Sequence, residues 1–333
     1  MSALPVGRQR AAEIIARYGI VLVLVIIVVA LTVLSPIIRG EQFFLTSRNL
    51  IQVALQAAIN AIIATGMTFV ITSGGIDLSV GANVALGGVT AALFMRDTGI
   101  GPIGGFFVAV TVGGLCGAFN GLLITRLDLP PFIATLGTMG MFRGMALIIS
   151  DGRPVYGFGR EFLQIFARQV ELPLIGAIPT QVIFALVIAV VFWWVLNRTK
   201  FGKYTIAIGG SEETTRLAGI PVNRYKMGIY ILCGLLTGVA AALLLARLSS
   251  GDPTFGTFYE LDAIAAAVMG GTSLSGGEGS IGGTIVGALV ISLVRNGLNL
   301  FNVPSYWQDF VIGAVIVLAV MLDRWRKRQT RRV

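Results

Sequence analysis

Between residues 20 and 322 the chain is a succession of apolar runs, most of them long enough to cross a bilayer, separated by short polar or glycine-rich connections. A hydrocarbon core roughly 30 Å thick needs about 20 apolar residues in a helix. Candidate spans lie near 20–38, 50–72, 79–95, 102–125, 132–150, 180–196, 226–246, 261–274, 281–300 and 306–322. The fold class that follows is an all-α polytopic integral membrane protein with about ten transmembrane helices. Composition agrees: 55% of residues are hydrophobic and 12% charged, with a mean hydropathy of +0.85, which excludes an ordinary soluble domain.

The 43 glycines point to close helix packing, since no hydrophobic effect draws one helix to another in lipid. Gly113/Gly117/Gly121, Gly140/Gly144, Gly234/Gly238 and Gly283/Gly287 have the spacing of packing grooves, and each is expected to act within the molecule. Cys116 and Cys233 lie inside apolar runs and read as small packing residues, so neither a disulfide nor a metal site is expected. The chain has no histidine. That removes the usual catalytic base, zinc ligand and pH switch, and no clustered acid–base pair replaces it. A membrane enzyme is therefore disfavoured, and no cofactor is expected.

The net charge of +9 matters by its placement, which flanks the membrane and does not suggest nucleic acid. Arg8, Arg10 and Arg17 precede the first span; Arg324, Arg326, Lys327, Arg328, Arg331 and Arg332 follow the last. Segments 1–19 and 323–333 therefore read as cytoplasmic, bracketing one transmembrane domain at 20–322. The run after residue 20 lacks a small-residue cleavage site and reads as a retained span. An even number of spans satisfies an N-in/C-in topology, which puts Arg126 and the 197–226 loop inside. That loop carries Arg198, Lys200, Lys203, Arg216, Arg224 and Lys226. The 151–179 loop falls outside; with Tyr156, Phe158, Phe162 and Phe166 it is expected to be the landing surface for an extracytoplasmic partner.

A glycine-rich octapeptide occurs twice after apolar runs: Gly74-Gly75-Ile76-Asp77-Leu78-Ser79-Val80-Gly81 and Gly270-Gly271-Thr272-Ser273-Leu274-Ser275-Gly276-Gly277. Helix-breaking backbone at membrane depth survives only against protein or a water-filled cavity, so the pair marks a transport path. By span count both connections face the cytoplasm. Asp77 either borders that path or caps the helix that follows it. Leu274-Ser275-Gly276-Gly277-Glu278 imitates the signature of ATP-binding cassette ATPases. No phosphate loop accompanies it, because the Gly202-Lys203 pair is followed by Tyr204.

Gln52, Gln56 and Asn60 stack at four-residue spacing on one helix face, suited to interhelical hydrogen bonds or to lining a solute path. Asn83, Asn120, Asn296 and Asn299 carry the same two readings. Arg143, Arg247 and Arg295 sit toward the outer ends of their spans, where snorkelling is expected. In the 197–226 loop, Ser211-Glu212-Glu213-Thr214-Thr215-Arg216-Leu217-Ala218-Gly219-Ile220-Pro221 opens with a capping serine and first-turn acids and closes on Gly-Ile-Pro. It predicts a short helix outside the membrane, either a solvated turn or a docking element.

Residues 74–81, the loop helix at 212–221, and 270–277 with Gly282-Gly283-Thr284 together resemble the permease subunit of bacterial ribose-type sugar ABC importers, in order from about residue 20 to 322. The resemblance implies a type II ABC importer-like permease in the bacterial inner membrane, translocating a monosaccharide or related polyol by alternating access. It also implies cytoplasmic ABC ATPase subunits, a periplasmic sugar-binding protein and a second permease copy, identical or paralogous. Residues 210–221 would be the coupling helix, touching the ATPase through Ser211, Glu212, Glu213, Arg216, Leu217 and Gly219. Gly74, Gly75, Asp77, Ser79, Gly81, Gly270, Gly271, Ser275 and Gly277 would form pathway hinges, with Gln52, Gln56, Asn60 and Asn83 as lining. Many relatives carry an Asn-Glu pair and alanines where this chain has residues 211–215. A secondary transporter is the alternative, but Asp77 is nearly alone as an immersed acid. Permeases for branched-chain amino acids form a sister class.

Overall fold

The computed structural model describes residues 6–172 and 176–330. The basic side chains expected from Arg8 to Arg17 and from Arg324 to Arg332 lie outside the described residues, as does the middle of the 151–179 connection. The helices run in the order α1 Val6–Arg39, α2 Ser47–Thr72, α3 Val80–Thr98, α4 Pro102–Arg126, α5 Pro131–Ile149, α6 Arg160–Phe166 and α7 Thr180–Arg198. There follow α8 Lys200–Gly210, α9 Glu212–Leu217, α10 Val222–Leu248, α11 Tyr259–Met269, α12 Ile281–Leu300 and α13 Ser305–Thr330. Among the described residues seven helices are long and apolar enough to cross a membrane: α1 from Gly19, α2, α4, α5, α7, α10 and α12. The chain is thus a helical, multi-pass membrane protein.

Helix boundaries follow local chemistry. Thr46 Oγ1 caps α2 by accepting from the Asn49 amide at 3.3 Å, and Ser280 Oγ caps α12 by accepting from Gly283 at 3.1 Å. Prolines at the first positions of α4 and α5 give up amides that would lack partners anyway. The structure departs from the sequence expectations in two elements. α11 has 11 residues, about 16 Å of helix, which is half a crossing; the expected span at 261–274 breaks at its glycines. The 151–179 connection folds α6 and an antiparallel hairpin, β1 Gln169–Leu172 on β2 Gly176–Pro179, with Val170 opposite Ile178. The all-α expectation is corrected to that extent.

Helices α2, α3 and α10 are the most deeply buried, and the others wrap them. Their threonines satisfy themselves: Thr65, Thr68 and Thr237 donate to the carbonyls of Ala61, Ala64 and Cys233, one turn back. Glycine sets the closeness of α4 to α10. A Cβ added to Gly113 would lie 2.8 Å from Gly238 Cα, and one added to Gly234 would lie 2.9 Å from Gly117 Cα. Gly283 and Gly287 pack likewise on Gly270 and Ala266 of α11 and its end. Gly140 and Gly144 do not: added Cβ atoms there meet nothing within 4 Å, so this pair faces out of the protomer and the intramolecular expectation fails for it.

Three of the four loop aromatics are buried, contrary to a surface role. Phe158, Phe162 and Phe166 pack inward, with Phe166 stacked on Phe106 at 5.0 Å and tilted against Phe184 at 6.2 Å. Tyr156 alone of that set is exposed. Arg143, Arg247 and Arg295 are tied to the protein: Arg143 Nη1 donates to the carbonyls of Pro253 and Phe255, and Arg247 to Gln52 Oε1 at 3.3 Å. Arg295 makes a bidentate pair with Asp262, both bonds 3.0 Å. Arg247 and Arg295 thus tie neighbouring helices together, and Arg143 ties α5 to the connection between α10 and α11, where snorkelling was expected.

The α4–α10 contact yields a test. Gly117→Val forces the two backbones apart, and overpacking of this kind costs about 1–3 kcal/mol. Its thermal midpoint in detergent is expected to fall by several degrees; an unchanged midpoint contradicts the close approach.

Candidate functional site

Both octapeptides stop a helix with the same hydrogen-bond pattern. At the end of α2, Gly74 in the left-handed region (φ 82°) donates to Ile71 O at 2.9 Å and Gly75 to Val70 O at 3.0 Å. At the end of α11, Gly271 (φ 95°) donates to Val268 O at 3.0 Å and Thr272 to Ala267 O at 2.9 Å. Each is a Schellman cap, which returns two amides to the last turn and lets backbone leave the helix with its groups satisfied. The structural register pairs Gly74 with Gly271, one residue off the match suggested by the written octapeptides. α9 ends in the same way: Gly219 (φ 80°) donates to Arg216 O and Ile220 to Thr215 O.

Asp77 is 2% exposed and anchors a polar cluster. Its Oδ1 accepts from the Ser79 amide at 2.9 Å and the Ser79 hydroxyl at 2.6 Å. Asn120 of α4 donates to Ser79 Oγ at 2.8 Å and approaches both Asp77 oxygens at 3.4 and 3.5 Å. Thr138 of α5 donates to Asn120 Oδ1 at 2.6 Å, while Thr135 and Tyr230 donate to Ile76 O at 3.3 and 3.4 Å. Asp77 thus folds the connection and joins it to α4, with Ser79 rather than the first turn of α3 receiving its oxygen. Asn120 takes the interhelical hydrogen-bond reading of the two the sequence left open, while the contributions of Thr135, Thr138 and Tyr230 were not evident from the sequence.

The two octapeptides meet at one end of the bundle, beside α8. Gly277 N donates to Thr72 O at 2.9 Å, linking the second connection to the last residue of α2. Gly209 lies between them; a Cβ there would sit 2.5 Å from Gly277 N and 2.9 Å from Thr72 C. One residue beyond α8, Ser211 accepts from Thr214 N through its hydroxyl at 3.2 Å and starts α9. Glu212 pairs with Arg216 at 2.9 Å and with Lys226 of α10. Glu213 and Gly219 are exposed, and Leu217 is 83% exposed, an apolar side chain left uncovered outside any candidate membrane span. Gly74, Ser275 and Gly271 are also exposed, whereas Gly75 and Gly81 are buried; Gly270 packs against the backbone of Gly283. Gly81 faces Gly256, in the connection from α10 to α11.

The amides divide between two kinds of place. Asn83 Nδ2 reaches Gly113 O at 3.3 Å in the α3–α4 contact. Asn296 and Asn49 exchange amide hydrogen bonds at 2.7 and 3.1 Å, tying α12 to α2, and Asn299 accepts from Gln308 at 2.8 Å. Gln56 and Asn60 instead line a small polar cavity with Tyr259, Asp262, Ser292 and Arg295, into which Gln52 does not reach. Its volume of about 10 Å³ accommodates a water molecule and excludes a sugar in this conformation.

Residues 49–320 match the family described as branched-chain amino acid transport system / permease component. The chain belongs to this permease family. As such it is a membrane component of an ABC transporter, and ATP hydrolysis is the work of separate subunits. The ribose import permease protein RbsC of Bacillus subtilis (strain 168) is 46% identical over 312 residues, 93% of this chain and 94% of its own. The D-allose transport system permease protein AlsC of Escherichia coli (strain K12) is 40% identical over 309 residues, 92% of this chain and 91% of its own. The L-arabinose ABC transporter permease protein AraH of Azospirillum brasilense is 37% identical over 325 residues, 96% of this chain and 91% of its own. No solved structure matches the chain.

The Asp77 cluster can be tested directly. Asp77→Ala leaves the Ser79 amide unpaired in a buried place, at a cost of about 1–3 kcal/mol. Asp77→Asn keeps one acceptor oxygen, so thermal stability in detergent is expected to rank wild type above Asn above Ala. Equal midpoints for all three would contradict a structural anchor at Asp77.

Proposed function

We propose that this chain is the permease subunit of an importer that carries a monosaccharide or related polyol across the bacterial inner membrane by alternating access. Two permease copies, identical or paralogous, form the path; two cytoplasmic ATPase subunits drive it, and a periplasmic binding protein delivers the solute. In this reading α3, α13 and the half-length α11, with the 249–258 connection that leads into it, complete ten crossings with the seven apolar helices, both termini are cytoplasmic, and α9 faces the ATPase. The gates are the connections at 74–81 and 270–277, with Gln52, Gln56, Asn60 and Asn83 beside the path.

One observation carries the reading. Leu217 is almost fully exposed on a short, doubly capped helix that stands outside the membrane spans, and its burial by a partner would contribute hydrophobic stabilisation to docking. Glu212, Glu213 and Arg216 surround it with charge for a polar rim. The choice of sugar over amino acid rests on the named relatives, permeases for ribose, allose and arabinose at 37–46% identity. The cavity beside Gln56 and Asn60, too small for a sugar, is consistent with selection by the binding protein.

Reconstituted vesicles containing the permease, its ATPase and its binding protein should take up labelled ribose, allose or arabinose only with ATP inside. Uptake driven by an ion gradient without the ATPase would instead establish a secondary transporter. Delivery of a branched-chain amino acid in place of sugar would move the chain to the sister class. Leu217→Asp should weaken ATPase docking by about 2 kcal/mol, or roughly 30-fold in affinity, measured by co-purification against salt.

A further inference from the structure

We propose that Gly209 is a positioning residue that transmits displacement of α9 to both octapeptide connections at once. The inference rests on the importer reading, in which force enters at α9. Three observations converge on it. Ser211 N donates to Ala207 O and Ser211 O accepts from Thr215 N, both at 3.0 Å, so Ser211 alone caps the end of α8 and the start of α9 and ties the two together. The Glu212–Lys226 pair fixes the other side of α9 to the start of α10.

At its end next to α9, α8 meets backbone, not side chains. Gly209 abuts Thr72 O at the end of α2 and Gly277 N in the second connection, and these two are themselves bonded. From the opposite side, a Cβ added to Gly276 would lie 2.7 Å from Gly209 O and 2.9 Å from Gly209 Cα, and one added to Gly277 would lie 3.2 Å from Gly210 Cα. Side chains absorb small shifts by changing rotamer; a backbone held against two other backbones has no such freedom. A push on α9 therefore reaches α2 and the 74–81 connection on one side, and the connection from α11 to α12 on the other.

The contact also explains why glycine occupies position 209. It lies within a helix, where glycine is less favourable than alanine by roughly 0.5–1 kcal/mol, and its φ is not in the left-handed region. Conformation does not require it; the approach of Thr72 and Gly277 does.

The test compares Gly209→Ala with Gly313→Ala in the reconstituted importer, reading sugar uptake and ATP hydrolysis stimulated by the binding protein on the same vesicles. Both changes replace an intrahelical glycine, but a Cβ at Gly313 meets nothing within 4 Å. Gly209→Ala is expected to keep stimulated hydrolysis while uptake per ATP falls roughly tenfold, within the range by which single residues modulate coupling. Gly313→Ala should match wild type. Gly276→Ala, which crowds the junction from its other side, should reproduce the split if Gly209→Ala does not assemble. Unchanged uptake in Gly209→Ala, or parallel loss of hydrolysis and uptake in an assembled complex, overturns the inference; so does full coupling in Gly276→Ala. Wild-type vesicles without ATP-driven uptake would refute the importer reading itself, which separates the two failures.

Discussion

A helix stops cleanly only when its last carbonyls find donors, and where water is scarce those donors must be backbone amides. The Schellman cap meets that demand here at the ends of α2, α11 and α9, each time with a glycine in the left-handed region. Everything proposed for the site depends on those three stops. Two of them release the connections that lead into α3 and α12, and the third ends the helix that faces a partner. Were the caps absent, α2 would run on past Thr72 and the Asp77 turn would not form.

The second constraint is distance. Glycine lets α4 lie on α10 and lets α8 lie against the two connections, with backbones nearer than any side chain permits. The same residue thus serves two ends: packing without a hydrophobic driving force, and stiffness at the junction between α9 and the connections. The polar cluster at Asp77 adds a third tie, from the first connection to α4 and α5. The first connection is therefore held to its neighbours on both sides, by glycine contact at Gly209 and by hydrogen bonds at Asn120.

Much of this was legible in the sequence, for physical reasons that differ by element. The spans at 50–72, 102–125, 132–150 and 281–300 correspond closely to α2, α4, α5 and α12, since long apolar runs bounded by caps or proline leave little choice. α9 was legible because both of its caps are local. The pairing of β1 with β2 was not, nor was the burial of Phe158, Phe162 and Phe166, which ends on rings from α4 and α7 that are distant in sequence. The break in α11 was obscured by the apolar Val268 and Met269 running into its glycines. Arg295 looked like a snorkelling residue because its partner, Asp262, lies 33 positions away. Gly209 carried no signal beyond preceding a glycine and a capping serine.

The central claim is that α9 and the octapeptide connections move as one unit during ATP-driven transport. It is tested most directly by spin-label distances between the exposed positions Glu213 and Glu278, replaced by cysteine, across the nucleotide cycle of the complete importer. The account predicts an unchanged distance within each protomer while the Glu213 positions of the two protomers shift relative to one another. A distance within the protomer that changes with nucleotide while the distance between protomers stays fixed would contradict it.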